Sequence, residues 1–427
     1  MEFKMIEDRR FSEKLLYAKH KTGLNIFICP KPKLSKIYAM YGTKYGSINN
    51  TFKTKDDKDF ITVPDGIAHF LEHKLFENET GEDVFTQFGN LGASANAFTS
   101  FDKTVYEFSC TDNFEKSLEV LLNFVQSPYF TPETVEKEQG IIAQEIRMYE
   151  DSANWRVFFN LLGAMYHSHP VKIDIAGTID SIKKIDADIL YKCYNTFYNP
   201  SNMVLCICGN VNKEEVVRVA DKCLKDMPEV KIETKFPEEK PSVLQKEIKQ
   251  KMSVAMPLFN MGIKESSVNL TPGEYAKREA VMAVLLDIIA GSNSKLYKRL
   301  YEQGLINNSF GTEYMISDSF AFTNFGGESK DPKAVYENIM QEIDKYKKNG
   351  IDIKTFERSK RAVYGRNIAL LDKTDSIVHS MINSYFMGTN FIEMFYAYDK
   401  ITVDDLNDTL NRWNDDAIAL SIIEPIN

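Results

Sequence analysis

The chain has 427 residues, 43% hydrophobic and 26% charged, with a formal net charge of -9. That length asks for more than one core, with two to four domains expected, and the composition is that of a soluble globular protein. The acidic balance argues against nucleic acid as a partner. No apolar run approaches the ~20 residues that span a membrane, and Met1–Arg10 lacks the apolar stretch of a signal peptide, so no membrane association is expected.

The first elements read as antiparallel strands, Gly23–Cys29 and Ile37–Gly42, where apolar and polar residues alternate. A short helix follows at Asp65-Gly-Ile-Ala-His69-Phe-Leu-Glu72-His73, with Asp65 as its expected N-cap. Gly92–Thr99 and Thr104–Cys110 read as a strand pair. Phe114–Gln126 is an amphipathic helix, and Thr131-Pro132 opens a second one that runs through Glu138 and Glu145 towards Trp155. Ile185–Tyr198 is a further helix, and it leads into a strand, Met203–Gly209, that places Cys206 and Cys208 side by side. The six cysteines show no CxxC spacing, and a reduced, cytoplasmic compartment is expected. Residues 228–251 are rich in charge and proline and read as a linker, separating domains at 1–227 and 252–427. The second half repeats the first in weak form. Ile401–Leu406, Trp413 and the strand Ala417–Ile423 match Ile185–Leu190, Phe197 and Met203–Cys208, as in a duplicated α+β unit.

Chemistry concentrates on the short helix. At about 100° per residue, His69, Glu72 and His73 share one face, and the two imidazoles are one turn apart, within reach of a single metal ion. Glu72 sits beside them, placed to hold a water on that ion. This is the H-x-x-E-H order. A lone histidine on an apolar helix is usually a satisfied core residue. Two histidines and a glutamate on one face fit that reading poorly, since burying them without metal or partners costs several kcal/mol. A catalytic zinc needs a third protein ligand. His167 and His169 suit a loop, whereas Glu138 and Glu145 lie two turns apart on one helix; by residue type either could serve. The copy of this region in the second half has no histidine over Ala280–Gly291, and Arg366 falls near the place of Glu145.

Taken together, His69-x-x-Glu72-His73, the Gly92–Thr99 strand and Glu138-x6-Glu145 resemble the inverzincin peptidases of the pitrilysin/insulinase family. The resemblance covers the whole chain. It is closest to the single-length bacterial branch akin to the mitochondrial processing peptidase, and there to the zinc-motif subunit that bacilli and clostridia encode beside a motif-less homologue. It implies two homologous α+β domains, each an antiparallel sheet flanked by helices, facing one another across a chamber. It implies one Zn2+ per chain on His69, His73 and Glu145, with Glu138 orienting a ring or water and Glu72 as general base on a zinc-held water. Ala95, Asn96, Ala97 and Phe98 match the edge strand along which an extended peptide substrate is laid.

One departure stands out. Active relatives carry an arginine and a tyrosine in the second half that grip the substrate carbonyl; here those places fall on Tyr301 and on Asn307 or Asn308, with Arg299 and Tyr314 off register. A metallopeptidase completed by a homologous motif-less subunit, in a heterodimer, is therefore expected; a homodimer is the other arrangement. The rival reading is a catalytically weak zinc-binding scaffold or assembly subunit. A non-zinc hydrolase has no support, for there is no Gly-x-Ser-x-Gly elbow or phosphate loop.

Overall fold

The computed structural model describes residues 1–8, 10, 13–265 and 270–426. Its strands are β1 (Lys4–Asp8), β2 (Glu13–Lys19), β3 (Asn25–Pro30), β4 (Ile37–Thr43), β5 (Thr51–Thr54), β6 (Ile61–Thr62), β7 (Ser94–Thr99) and β8 (Thr104–Cys110). They continue with β9 (Met203–Gly209), β10 (Ile232–Thr234), β11 (Glu247–Met252), β12 (Leu258–Glu265), β13 (Gly311–Ile316), β14 (Ala321–Glu328) and β15 (Ile418–Pro425). The helices are α1 (Ile67–Lys74), α2 (Val84–Asn90), α3 (Phe114–Val125), α4 (Pro132–Glu150), α5 (Ala153–Met165), α6 (Ile179–Ile182), α7 (Ala187–Phe197) and α8 (Lys213–Cys223). Then come α9 (Pro272–Ala290), α10 (Lys295–Glu302), α11 (Pro332–Asn349), α12 (Ile353–Ala369), α13 (Thr374–Phe386), α14 (Phe391–Lys400) and α15 (Val403–Arg412).

The fold is α+β and divides into two compact units that share one topology. In the first, the sheet order is β1-β2-β3-β9-β4-β8-β7; in the second, β11-β15-β12-β14-β13. Five strands of each sheet correspond in order and pairing, while β1 and β2 extend the first sheet with no counterpart among the described strands of the second. β3 with β9 and β11 with β15 are parallel, and β4-β9, β4-β8 and β7-β8 are antiparallel like β12-β15, β12-β14 and β13-β14. The helices enter at equivalent points, α1 and α2 between β4 and β7, α9 and α10 between β12 and β13. The duplication read from the sequence is thus a duplication of sheet topology.

The units do not follow the linear boundaries of the sequence. The first comprises 1–146, 174–235 and 370–386; the second 147–173, 236–369 and 387–427. Helix α5 packs on β12 and β15, where Val157 joins Leu258 and Ile423, and α13 packs on β4 and β9. Local patterning marks these segments as helices but carries no information on which sheet buries them. Nor is 228–251 a free linker. β10 pairs with β5, and β11 pairs with β15. Between them Glu239 accepts the backbone N–H groups of His167, Ser168 and His169 and the buried Lys264 ammonium at 2.7 Å. The long-range partners that hold it are invisible to a reading by composition.

One further stretch departs from expectation. Pro272–Glu302 is long and apolar enough, at a mean hydropathy of 1.2, to cross a membrane by length and composition. Its apolar side chains, among them Val281, Leu285, Ile288 and Ile289, instead belong to the second unit's core, where α9 packs against α12, α14 and β13. Burial on all sides gives a helix the same composition as immersion in lipid.

Candidate metal centre

In the first unit two layers face each other across the sheet. Tyr106 of β8 meets Phe76 and Phe124, at ring-centroid distances of 5.9 and 5.6 Å, and defines the α1–α3 side. Its neighbour Val105 points to the opposite face, where Gly42 leaves room for Ile382 of α13. Helix α1 therefore lies over β7 and β8 on one face only.

Entry into α1 differs from expectation. The N-cap is Gly66, not Asp65, and no side chain caps the helix. Asp65 instead accepts the Asn50 amide, 3.0 Å away. Gly66 has φ of 89°, and a Cβ there would lie 2.4 Å from the Ala176 carbonyl oxygen. Left-handed backbone and close approach together admit only glycine. The helix is thus fixed by contact with the 174–177 segment, and this sets the level at which its histidines meet α4.

Helix α4 begins as read, with Thr131 Oγ1 accepting the Thr134 N–H at 3.2 Å. Its 19 residues bring Glu138 and Glu145 to the histidines. His69 Nε2 and His73 Nε2 lie 3.7 and 3.5 Å from the same oxygen, Glu145 Oε2. The ligand atoms of His69, His73 and Glu145 fall within 4.8 Å of one another. Contacts of 3.5 and 3.7 Å are too long for good hydrogen bonds. They are close to the edge of a tetrahedron drawn around zinc, which bond lengths near 2.0–2.1 Å put at about 3.4 Å. The donor set, two imidazoles and a carboxylate, is one that zinc takes in catalytic sites. The residues fit the ion.

The surroundings prepare the donors. Glu138, buried, accepts a hydrogen bond from His73 Nδ1–H at 3.0 Å, which leaves the Nε2 lone pair facing Glu145. Burial, and then the neighbouring His73, push the His69 imidazole down to about 3, so it stays neutral. At His73 burial pulls the same way, but the Glu138 hydrogen bond and the charges of Glu72, Glu138 and Glu145 outweigh it and raise the pKa. Glu72 is buried, and this lifts its carboxyl to about 7, the Thr99 hydrogen bond being the main opposing effect. A carboxyl poised near neutrality suits a group that takes and returns a proton.

The remaining residues read from the sequence lie on β7. It is the last strand of its sheet and pairs with β8 alone among the described residues. Ala95, Ala97 and Thr99 alternate with Asn96 and Phe98. Thr99 reaches Glu72 on the α1 side, while the Phe98 ring lies 5.9 Å from that of His379, on α13. The outer backbone edge of β7 is open to an added strand.

In the second unit the off-register candidates are committed elsewhere. Arg299 lies 3.9 Å from the buried Glu342, and Tyr314 hydrogen-bonds Glu265 and Arg278. Tyr301 is exposed and stacks on Tyr297, and Asn307 donates to Glu328 at 2.7 Å. Thr99 is a partner of Glu72 that no local sequence pattern marks. It stands inside the β7 motif, but only strand pairing brings it to a residue 27 positions earlier.

Comparison with known proteins places the chain in a family. Residues 63–179 match the family described as Insulinase (Peptidase family M16), and residues 184–363 match its Peptidase M16 inactive domain. The chain is 40% identical over 414 residues, 96% of each protein, to the uncharacterized zinc protease YmfH of Bacillus subtilis. It is 31% identical over 177 residues, 40% of this chain and 38% of the relative, to the mitochondrial-processing peptidase subunit beta of Caenorhabditis elegans. Among solved structures, an M16-like peptidase from Alicyclobacillus acidocaldarius superposes with a TM-score of 0.93 at 34% identity, over 100% of this chain and 99% of that one. A protease from Helicobacter pylori shares the fold, with a TM-score of 0.82 at 20% identity over 97% of this chain and 100% of that one.

Proposed function

The chain belongs to the M16 insulinase family, and from that premise we propose that it is a zinc-dependent endopeptidase acting on extended peptides or flexible segments. The observation that carries the reading is the convergence of His69, His73 and Glu145 on one point, with the Glu72 carboxyl beside it. His69 and His73 would hold the ion through Nε2 and Glu145 through a carboxylate oxygen, with Glu138 fixing the His73 ring. When bound, zinc supplies a Lewis acid for the scissile carbonyl and lowers the pKa of a water towards neutrality. Glu72 takes a proton from the attacking water and returns it to the leaving amine. The outer edge of β7, Ala95 to Phe98, pairs with the substrate backbone, so affinity rests on the main chain and sequence preference is loose. Only chain that is not already folded can be laid there.

Completion by a homologous subunit belongs to the same proposal. Tyr301 and Asn307 stand where a gripping arginine and tyrosine are expected, and Arg299 and Tyr314 are held by Glu342, Glu265 and Arg278. Losing one oxyanion donor typically costs about 10²–10³ in rate. A relative is named as a peptidase subunit, which supports a paired arrangement. A reducing, cytoplasmic compartment is part of the proposal too, the six cysteines being buried free thiols. The same missing pair favours the second reading, a zinc-binding scaffold with weak catalysis. Hydrolysis of a quenched extended peptide separates the two. The heterodimer predicts low turnover by the chain alone and at least a tenfold gain on adding a motif-less homologue with the arginine and tyrosine. No gain, with zinc bound, favours the scaffold; full turnover by the chain alone removes the need for a partner.

A further inference from the structure

The carboxyl of Glu72 has two oxygens, and proton transfer needs one of them presented reproducibly to the reacting water. Its one hydrogen bond among the described residues comes from Thr99, whose Oγ1 lies 2.5 Å from Glu72 Oε2. Thr99 is the last residue of β7, and its register partner across the sheet is Thr104 of β8. The two hydroxyl oxygens are 3.3 Å apart. Thr104 is fully buried and donates its only proton to the Tyr45 carbonyl at 2.8 Å. Towards Thr99 it therefore offers lone pairs alone. The Thr99 proton has two acceptors in reach, a carboxylate oxygen at 2.5 Å and a hydroxyl oxygen at 3.3 Å, and the shorter, charge-assisted bond takes it.

We propose that Thr99 is a positioning residue for Glu72. By occupying Oε2 it leaves Oε1 as the oxygen that receives the proton, and Thr104, locked to Tyr45, keeps the Thr99 side chain in place. The inference rests on the peptidase reading above and deepens it. Hydrolysis then balances around a fixed carboxyl. One proton of water passes to Oε1 as its oxygen bonds the carbonyl carbon, Oε2 keeps accepting from Thr99 in both states of the carboxyl, and the proton on Oε1 goes to the nitrogen as the C–N bond breaks. The arrangement also ties the base to the strand proposed to carry the substrate. A shift of β7 would move Glu72 with it, so substrate and base stay in register.

The test compares Thr99→Val, nearly isosteric but without a donor, with Thr99→Ser, which keeps the hydroxyl. Peptide hydrolysis, zinc content and zinc-loaded crystal structures are measured for each, with the homologous subunit added to the assay if the chain alone is slow. A hydrogen bond to a charged group gives an expected fall in kcat of about 10- to 100-fold in Thr99→Val, with KM and zinc content unchanged and with Thr99→Ser recovering most of the loss. In crystals, Glu72 Oε2 stays on Thr99 in the wild type and in Thr99→Ser, and the carboxyl turns or adopts several rotamers in Thr99→Val. Equal kcat in wild type and Thr99→Val, or a Glu72 carboxyl unmoved in that crystal, would overturn the proposal. A wild type with zinc but no hydrolysis under any condition would strike the peptidase reading instead, while the crystal comparison still decides the role of Thr99.

Discussion

Helices α1 and α4 of the first unit and α9 and α12 of the second occupy equivalent places in one topology, yet they end in opposite electrostatic arrangements. In the first, two histidines and Glu145 stand 3.5 and 3.7 Å apart, too far to satisfy one another. In the second, Arg366 of α12 donates to Asp287 of α9 at 2.6 Å and the charges close directly. The helix entries differ in the same sense. α9 starts with a capping box, Thr271 with Glu274, and Pro272 in its first turn, so its own sequence fixes it. α1 starts uncapped on a left-handed glycine pressed against the Ala176 carbonyl, and only the tertiary structure fixes it. A metal site needs donors held apart by something other than themselves. The first unit supplies that restraint through Gly66 and Glu138, and the second does without it.

The two units should differ most at Glu72. General acid–base catalysis contributes about 10²–10⁴ in rate, so Glu72→Gln is expected to lower kcat by that order while zinc content, read by metal analysis, stays at the wild-type level. Gly66→Ala attacks the restraint itself. Left-handed strain and a Cβ 2.4 Å from a carbonyl oxygen should cost about 3 kcal/mol in thermal or denaturant unfolding and reduce zinc retention. In Arg366→Ala neither stability nor metal content should move appreciably, the pair being largely exposed on the arginine side. Surface pairs of this kind contribute under about 1 kcal/mol, and a change in zinc stoichiometry there would mean that the second unit also binds metal.

Two predictions sharpen the contrast at intermediate size. The second unit also satisfies the buried Lys264 internally, through Glu239. Burial opposes ionisation of Glu239, but Lys264 and three backbone N–H groups hold its carboxyl down to about 2. A folded pKa depressed below the unfolded value means stability that is complete above about pH 4.5 and lost as pH falls towards 2. Unfolding measured across that window should show a loss of roughly 3 kcal/mol in the wild type that is absent in Glu239→Gln. At neutral pH the variant itself should be less stable by about 3 kcal/mol, because the buried Lys264 ammonium keeps its carbonyl acceptors but loses the Glu239 carboxylate that balances its charge. In the first unit, Glu138→Gln removes the carboxylate that fixes the His73 tautomer, and zinc affinity measured by chelator competition should weaken by about 10- to 100-fold.

Legibility in the sequence followed the range of the interactions. His69, Glu72 and His73 lie within two turns, and one helical period places them on one face; the structure keeps them there. Glu145 was separable from Glu138 only through the family resemblance, and the three-dimensional reason is plain: Glu138 meets Nδ1 of His73, Glu145 meets Nε2. Strands with clear alternation, such as Ile37–Gly42 and Thr104–Cys110, were visible, as was the α+β repeat. The placement of α5 and α13, the anchoring of Glu239 and the Thr99–Glu72 bond were not, since each joins residues distant in the chain by contacts that leave no local period. Asp65 misled for the complementary reason. It has the right chemistry for a cap, but the tight approach at Ala176 demanded glycine one residue later.

In the proposed function the first unit holds a zinc ion on His69, His73 and Glu145, with Glu72 as the base. The most direct measurement is zinc stoichiometry together with hydrolysis of an extended peptide, for wild type and Glu72→Gln, each with and without a homologous subunit. One zinc per chain is expected in both proteins, with hydrolysis in the wild type only. A wild type that binds no zinc, or a Glu72→Gln variant that hydrolyses the peptide as fast as the wild type, would contradict it.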